Sequence, residues 1–332
     1  MGLPFLRKYD IMNNHDAQLY ATVFVSMVKE GSIMPGWDDI LKELGHEPSP
    51  HDVVRRKYIK KLSNTTGRNV IAYYSAWLTR RGESNLDLDI NDADMTGFMN
   101  SIKGMDCSKG LDLVLHTPGG SPTAAEAIVK YLRTKFGNDI RVIVPHLAMS
   151  AGTMIACASK EIVMGKQSSL GPIDPQFNGI PAYNIKMEFE EAKADLAANP
   201  ANAHFWRIRL QQYPAAFLMN AIDAIALSDS LIGEWLGTCM YDKNNPAHTD
   251  IIKNICENLN EHDKSKNHGR HFDYQFCKNI GLKIVEMESD PKLQDAILSM
   301  HHAYMLTLSG TNATKVIESQ NGKAYIRNVQ RK

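Results

Sequence analysis

The sequence predicts an α/β fold of consecutive βαβ units over residues 67–310, and three observations carry that expectation. Apolar runs at 70–78, 111–115, 140–144 and 161–164 lack a clean period of two, as strands buried on both faces do. Stretches with helical spacing, at 92–102, 122–136 and 151–158, separate them. Two small-residue turns, Gly119-Gly120 and Ser150-Ala151-Gly152, follow the second and third runs, at the carboxyl ends where parallel sheets carry their active loops.

Taken in order, residues 1–66 read as an N-terminal helical extension. Leu19, Val23 and Met27 mark a helix over 16–30, and 37–44 forms another, with Gly31, Pro35, Gly45, Pro48 and Pro50 as breaks. The basic run Arg55, Arg56, Lys57 with Lys60 and Lys61 reads as a solvated helix face. After the fourth strand comes a turn-rich loop, Gly171-Pro-Ile-Asp-Pro-Gln176, then helical stretches at 185–198, 202–213 and 214–236 and a polar stretch around 248–266. Residues 270–285 read as extended chain, helix and strand entry, and 291–308 as a helix. Residues 311–332 read as a loosely packed C-terminal tail. There is no internal repeat and no low-complexity tract.

Of 332 residues, 43% are hydrophobic and 22% charged, with Lys plus Arg (37) balancing Asp plus Glu (37). That balance gives no basic surplus for nucleic acid or anionic lipid. Cys107, Cys157, Cys239, Cys256 and Cys277 show no zinc or disulfide spacing, so reduced thiols are expected and neither metal nor cofactor is called for. The N-terminus lacks a signal-peptide pattern and no stretch reaches the about 18 apolar residues of a span, so the expectation is a cytoplasmic chain without a membrane segment. His301-His302 directs two rings to different faces, which does not suit a shared metal.

Ser150 stands between an apolar strand and a helix-forming run, where a nucleophile belongs. The glycines at 119 and 120 allow a close backbone approach, and the N–H of Gly120 or Gly119 with that of Ala151 makes a pair of oxyanion donors. These are the parts of an acyl-transfer site.

The segments His116-Thr-Pro-Gly-Gly-Ser-Pro122, Ala148-Met-Ser-Ala-Gly-Thr153, Gly165-Lys-Gln-Ser-Ser-Leu-Gly-Pro-Ile-Asp-Pro-Gln176 and His268-Gly-Arg-His-Phe272, leading into Ile280-Gly-Leu282, resemble the serine dehydrogenase proteinase family. That family is related to the Clp protease proteolytic subunit and to signal peptide peptidase A. The resemblance covers about 69–308 and implies a ClpP/crotonase-like fold, a serine nucleophile at Ser150, a peptide or protein substrate and a homo-oligomer. It further implies a triad of Ser150, Asp174 and a histidine, His268 or His271, with the Asp and His blocks exchanged relative to the Clp subunit. In the Clp arrangement the earlier block lies beside the serine, so an Asp there could orient a more distant imidazole only if the loops are rearranged. The kinship with signal peptide peptidase A implies instead a desolvated lysine base, Lys193 first and Lys186 second. The expected activity is that of a serine endopeptidase. An inactive scaffold of the same fold and a crotonase-like acyl-CoA enzyme are the alternatives.

Overall fold

In the computed structural model, which describes residues 50–80, 82–83, 86–260 and 266–329, the apolar runs form the middle of a 7-stranded sheet. Strand β1 (Asn69–Ser75) runs parallel to β2 (Leu111–His116), and β2 to β3 (Ile140–Val144). After the short β4 (Leu147–Ala148), β5 (Glu161–Met164) lies parallel beside β3. β6 (Ser169–Leu170) joins β4 in a second sheet, and β7 (Gln176–Phe177) pairs with β8 (Ile180–Pro181). The later chain adds β9 (Phe272–Asp273) to the small sheet and β10 (Ile284–Glu286) beside β5. β11 (Ala313–Ser319) and β12 (Ala324–Asn328) attach antiparallel on the other side of β1. The expected parallel βαβ architecture is observed, and the helices expected at 16–30 and 37–44 lie outside the described residues.

The central strands read as continuous apolar runs because successive residues enter two different cores. Ile71, Tyr73, Leu113, Leu115, Val142 and Ile162 face one core, while Val70, Ala72, Tyr74, Val114, Ile143 and Val163 face the other. Helix α1 (Pro50–Thr66) contributes Val54, Tyr58, Ile59 and Leu62 to the second core. The first core takes α2 (Asp94–Ile102), α3 (Pro122–Phe136) and α4 (Ala151–Cys157). Each fully buried Leu, Ile or Val contributes about 1.5–3 kcal/mol. α3 begins where Ser121 accepts a hydrogen bond from the Ala124 N–H with Pro122 in the first turn, and ends at Gly137, whose φ is 61°. α5 (Ala182–Ala198), α6 (Ala203–Leu210) and α7 (Phe217–Trp235) form the helical stretch after the turn-rich loop. They are followed by α8 (Pro246–Asn260), α9 (Tyr274–Ile280) and α10 (Pro291–Gly310), the last lying along α1 on the second core.

Two expectations are corrected. Residues after Thr311 are not a loose tail: β11 is wholly buried and hydrogen-bonded between β1 and β12. The basic run at 55–61 is not simply a solvated face either. Arg55 is buried and its Nε donates to Glu318 at 2.7 Å, Arg56 reaches the same carboxylate at 3.3 Å, and Lys61 pairs with Asp295. The reason is shared. β11 carries Lys315 and Glu318 into the interior, where Asp94 takes Lys315 at 2.8 Å and Arg55 takes Glu318, so polar letters occupy buried positions. Residues 50–66 and 313–328 thus belong to the body of the fold.

Candidate active site

Ser150 sits between β4 and α4 with φ 50° and ψ −118°. A positive φ costs a non-glycine residue about 1–3 kcal/mol and is held only where the surroundings impose it. Its side chain makes no capping hydrogen bond with α4, so the hydroxyl is not used as a helix cap. The surroundings are the preceding loop. The Thr117 N–H donates to the Leu147 carbonyl at 3.1 Å and the Met149 N–H to the Thr117 carbonyl at 3.0 Å, zipping the two turns together.

That zipper brings Gly119 and Gly120 against the serine. At Gly119, with φ 102°, a β-carbon would stand 2.6 Å from the Ser150 Cβ and 2.7 Å from the Met149 carbonyl oxygen. At Gly120, with φ 147°, it would stand 2.4 Å from the backbone N and O of Ile90. Both positions therefore require glycine. The two amides differ: the Gly119 N–H donates to the Thr117 Oγ1 at 3.1 Å, whereas no hydrogen bond among the described residues uses the N–H of Gly120 or of Ala151.

The aspartate and the histidine meet although they are 94 residues apart. His268 Nδ1 lies 2.8 Å from Asp174 Oδ1, with the Asp174 side chain fully buried and that of His268 30% exposed. The other Asp174 oxygen accepts from Gln176 Nε2 at 2.6 Å. Ile173, one residue earlier, is pinned by its N–H to the Leu259 carbonyl on α8 and by its carbonyl to Ser228 Oγ on α7. The loops thus bring the carboxylate and the imidazole together, although their blocks are far apart in sequence. Ser150, Asp174, His268, Gly120 and Ala151 all line one cavity of about 730 Å³, whose walls include Met154, Ile173, Phe177 and Leu227.

The other sequence candidates fall elsewhere. Lys193 is 68% exposed on α5 and pairs with Glu190 at 2.9 Å, and it does not line the cavity, so the desolvation a lysine base needs is missing. Lys186 is exposed on the same helix, and His271 is exposed rather than packed in the core. His116 and His146, at the ends of the strands before the two turns, form with His301 of α10 a group of rings with centroids 5.5–6.0 Å apart. Burial pushes His116 down to about 3, reinforced by His146 and offset only in part by the Leu147 carbonyl. Among the described residues no group of three or more His, Cys, Asp or Glu side chains is arranged to hold a metal ion.

Sequence reasoning missed Gln176, which holds the second oxygen of Asp174, and Asp89, which lines the same cavity. Gln176 ends the block that carries the resemblance, but only Asp174 of that block was given a role. Asp89 precedes Ile90, whose N–H donates to the Gly119 carbonyl at 2.7 Å and whose carbonyl accepts from Ser121 at 2.9 Å. Nothing in the spacing of residues 86–91 announces that bridge. Residues 50–200 match the family of ClpP-like SDH-type serine proteinases. The match spans the Gly119-Gly120 turn, Ser150 and Asp174 and stops short of His268. The mixed α/β architecture with a largely parallel sheet is of the ClpP-like kind that the family's description names.

The uncharacterized protein MJ0137 of Methanocaldococcus jannaschii is 36% identical over 151 residues, covering 44% of this chain and 51% of that protein. MJ1495 of the same organism is 45% identical over 75 residues, 23% of this chain and 25% of that protein. The chain thus matches about half the length of the first relative and a quarter of the second. Among solved structures, a serine-to-alanine variant of the 1510-N membrane-bound stomatin-specific protease aligns over 59% of this chain and 74% of its own, with 20% identity and a TM-score of 0.34. A lysine-to-alanine variant of that protease, in complex with a substrate peptide, aligns over 64% and 93%, with 20% identity and a TM-score of 0.27. No described helix of this chain is long and apolar enough to cross a membrane.

Proposed function

We propose that the chain is a serine endopeptidase working through an acyl-enzyme on Ser150, with His268 as general base and Asp174 as its orienting partner. The observation that carries the reading is the His268–Asp174 contact of 2.8 Å in the cavity that Ser150 lines. Asp174 accepts from Nδ1–H and so leaves the Nε2 lone pair for the serine proton. As Ser150 Oγ attacks a peptide carbonyl, its proton passes to Nε2. The developing oxyanion lies between the Gly120 and Ala151 N–H groups, each worth about 3–4 kcal/mol in such a role. Gly119 is set aside as a donor because Thr117 already holds its N–H. Collapse breaks the C–N bond, the leaving amine takes the proton from His268, and water then hydrolyses the ester by the same steps in reverse order of proton movement.

The proposal extends to a cytoplasmic homo-oligomer, for which Phe205, Ile208 and Met219, exposed on α6 and α7, offer apolar contact surface. Treatment with a fluorophosphonate followed by peptide mapping tests the nucleophile. One adduct on Ser150, absent from Ser150→Ala, is expected. An adduct that persists in Ser150→Ala overturns the assignment, and assembly without any labelling favours an inactive scaffold.

A further inference from the structure

Asp87, Asp89 and Asp94, of which Asp89 lines the cavity, are unequally satisfied. Lys315 is buried and its Nζ pairs with Asp94 at 2.8 Å and with Asp87 at 3.3 Å, while Arg327 pairs with Asp87 at 3.0 Å. Tyr73 donates its hydroxyl to Asp94 at 2.8 Å. Asp89 is the third acid of this group, and Lys315 reaches only its backbone carbonyl, at 2.7 Å. Among the described residues no side chain donates a hydrogen bond to the Asp89 carboxylate, and the two cations are already engaged by Asp87 and Asp94. The group of three acids and two bases therefore carries one uncompensated negative charge, on the side chain that lines the cavity. Asp174, the other carboxylate lining that cavity, is buried and held by His268 and Gln176.

The position of that charge is fixed by backbone. Ile90 is bridged to the Gly119-Gly120 turn on one edge, and the Cβ of Asp89 would lie 3.0 Å from a β-carbon built on Gly120. A peptide whose carbonyl oxygen rests on the Gly120 N–H would then run past Asp89 within one side-chain length of the scissile bond. We infer that Asp89 is a specificity-determining residue that receives a lysine or arginine side chain within two residues of the scissile bond. The inference rests on the acyl-enzyme reading of Ser150. A charge-assisted contact at a partly open site favours the cationic substrate by about tenfold over an apolar one, and an acidic residue at the same place is disfavoured by repulsion. Crowding by the surrounding protein pushes the Asp89 carboxyl above its ordinary range, with Lys315 acting against this and Asp87 with it. The preference therefore weakens as the pH falls into the acid range.

The test uses internally quenched peptides that differ only in carrying Lys, Leu or Glu at each of the four positions flanking one cleavage site. The quantity compared is the ratio of kcat/KM for the Lys and Leu peptides, in which the titration of His268 cancels. The ratio is expected to be about 10 at one position at neutral pH, to fall toward one in Asp89→Asn and to drop below one in Asp89→Lys, in which the Glu peptide becomes the better substrate at that position. A ratio near one at every position, or one unchanged in Asp89→Asn, overturns the inference while leaving the serine reading intact. No cleavage of any peptide together with no fluorophosphonate adduct on Ser150 overturns both. Thermal melting of each variant separates a lost preference from a lost fold.

Discussion

Gly119 shows how tightly single residues set this site. Its missing side chain makes room for Ser150, and its φ of 102° is one that an L-residue with a β-carbon rarely adopts. Gly119→Ala would push its methyl to 2.6 Å from the Ser150 Cβ, so the serine or the turn must move. The expected outcome is a fall of about 10²–10³ in the rate of Ser150 acylation, read with a fluorophosphonate, as the oxyanion donors move out of line. A loss of about 1–3 kcal/mol in stability, read by urea titration, accompanies it. These residues were legible because their chemistry is local: a serine between strand and helix, and a pair of glycines after a strand. The proposed choice of Gly120 over Gly119 as donor was not legible, because it depends on where the Thr117 hydroxyl points. Nor was the base. Asp174 and His268 are 94 residues apart, and their meeting depends on a loop whose Ile173 is anchored to α7 and α8.

The elements before and after the two turns hold a second chemistry. β2 ends in His116, His146 precedes β4, and His301 comes from α10, its Nδ1 lying 3.2 Å from the Tyr74 hydroxyl. Burial lowers all three imidazoles, His116 to about 3, and their mutual proximity adds to this for His116 and His301. An unfolded histidine titrates near 6.5, so between that value and about 3 the unfolded chain binds more protons than the folded one. The stability of these neutral rings is complete above pH 6.5 and is lost as the pH falls toward 3. The melting temperature should therefore fall steadily from pH 7 to pH 4, and His116→Phe should flatten that slope in differential scanning calorimetry. The regular elements themselves were legible, as Pro122–Phe136, Ile140–Val144 and Glu161–Met164 match the expected boundaries. Their periodicities are local properties. The packing of His116 against a helix 185 residues later is not.

At the scale of the molecule, the first described helix closes on a strand near the other end of the described chain. Arg55 of α1 and Glu318 of β11 meet at 2.7 Å in the second core, with Tyr304 of α10 donating to the same carboxylate at 2.9 Å. Removing one partner of such a pair leaves a buried charge and costs about 3–5 kcal/mol. Ion pairing of this kind is why 313–328 read as a tail: a lysine and a glutamate inside a strand look solvated until their partners, far away in sequence, are brought to them. The parallel strands β1, β2, β3 and β5 were legible because apolar residues dominate them, and their one buried carboxylate, Asp112, pairs with Arg68 and with Arg141 of the neighbouring strand. The same closure pairs β1 on both sides, with β2 and β11, within the sheet that carries the proposed constellation of Ser150, His268 and Asp174. The most direct test of that constellation is the rate of Ser150 acylation in His268→Ala, Asp174→Asn and Lys193→Ala. The account predicts losses of about 10³-fold or more for His268→Ala and Asp174→Asn and the parent rate for Lys193→Ala. Full reactivity in His268→Ala, with the loss appearing in Lys193→Ala, would contradict it.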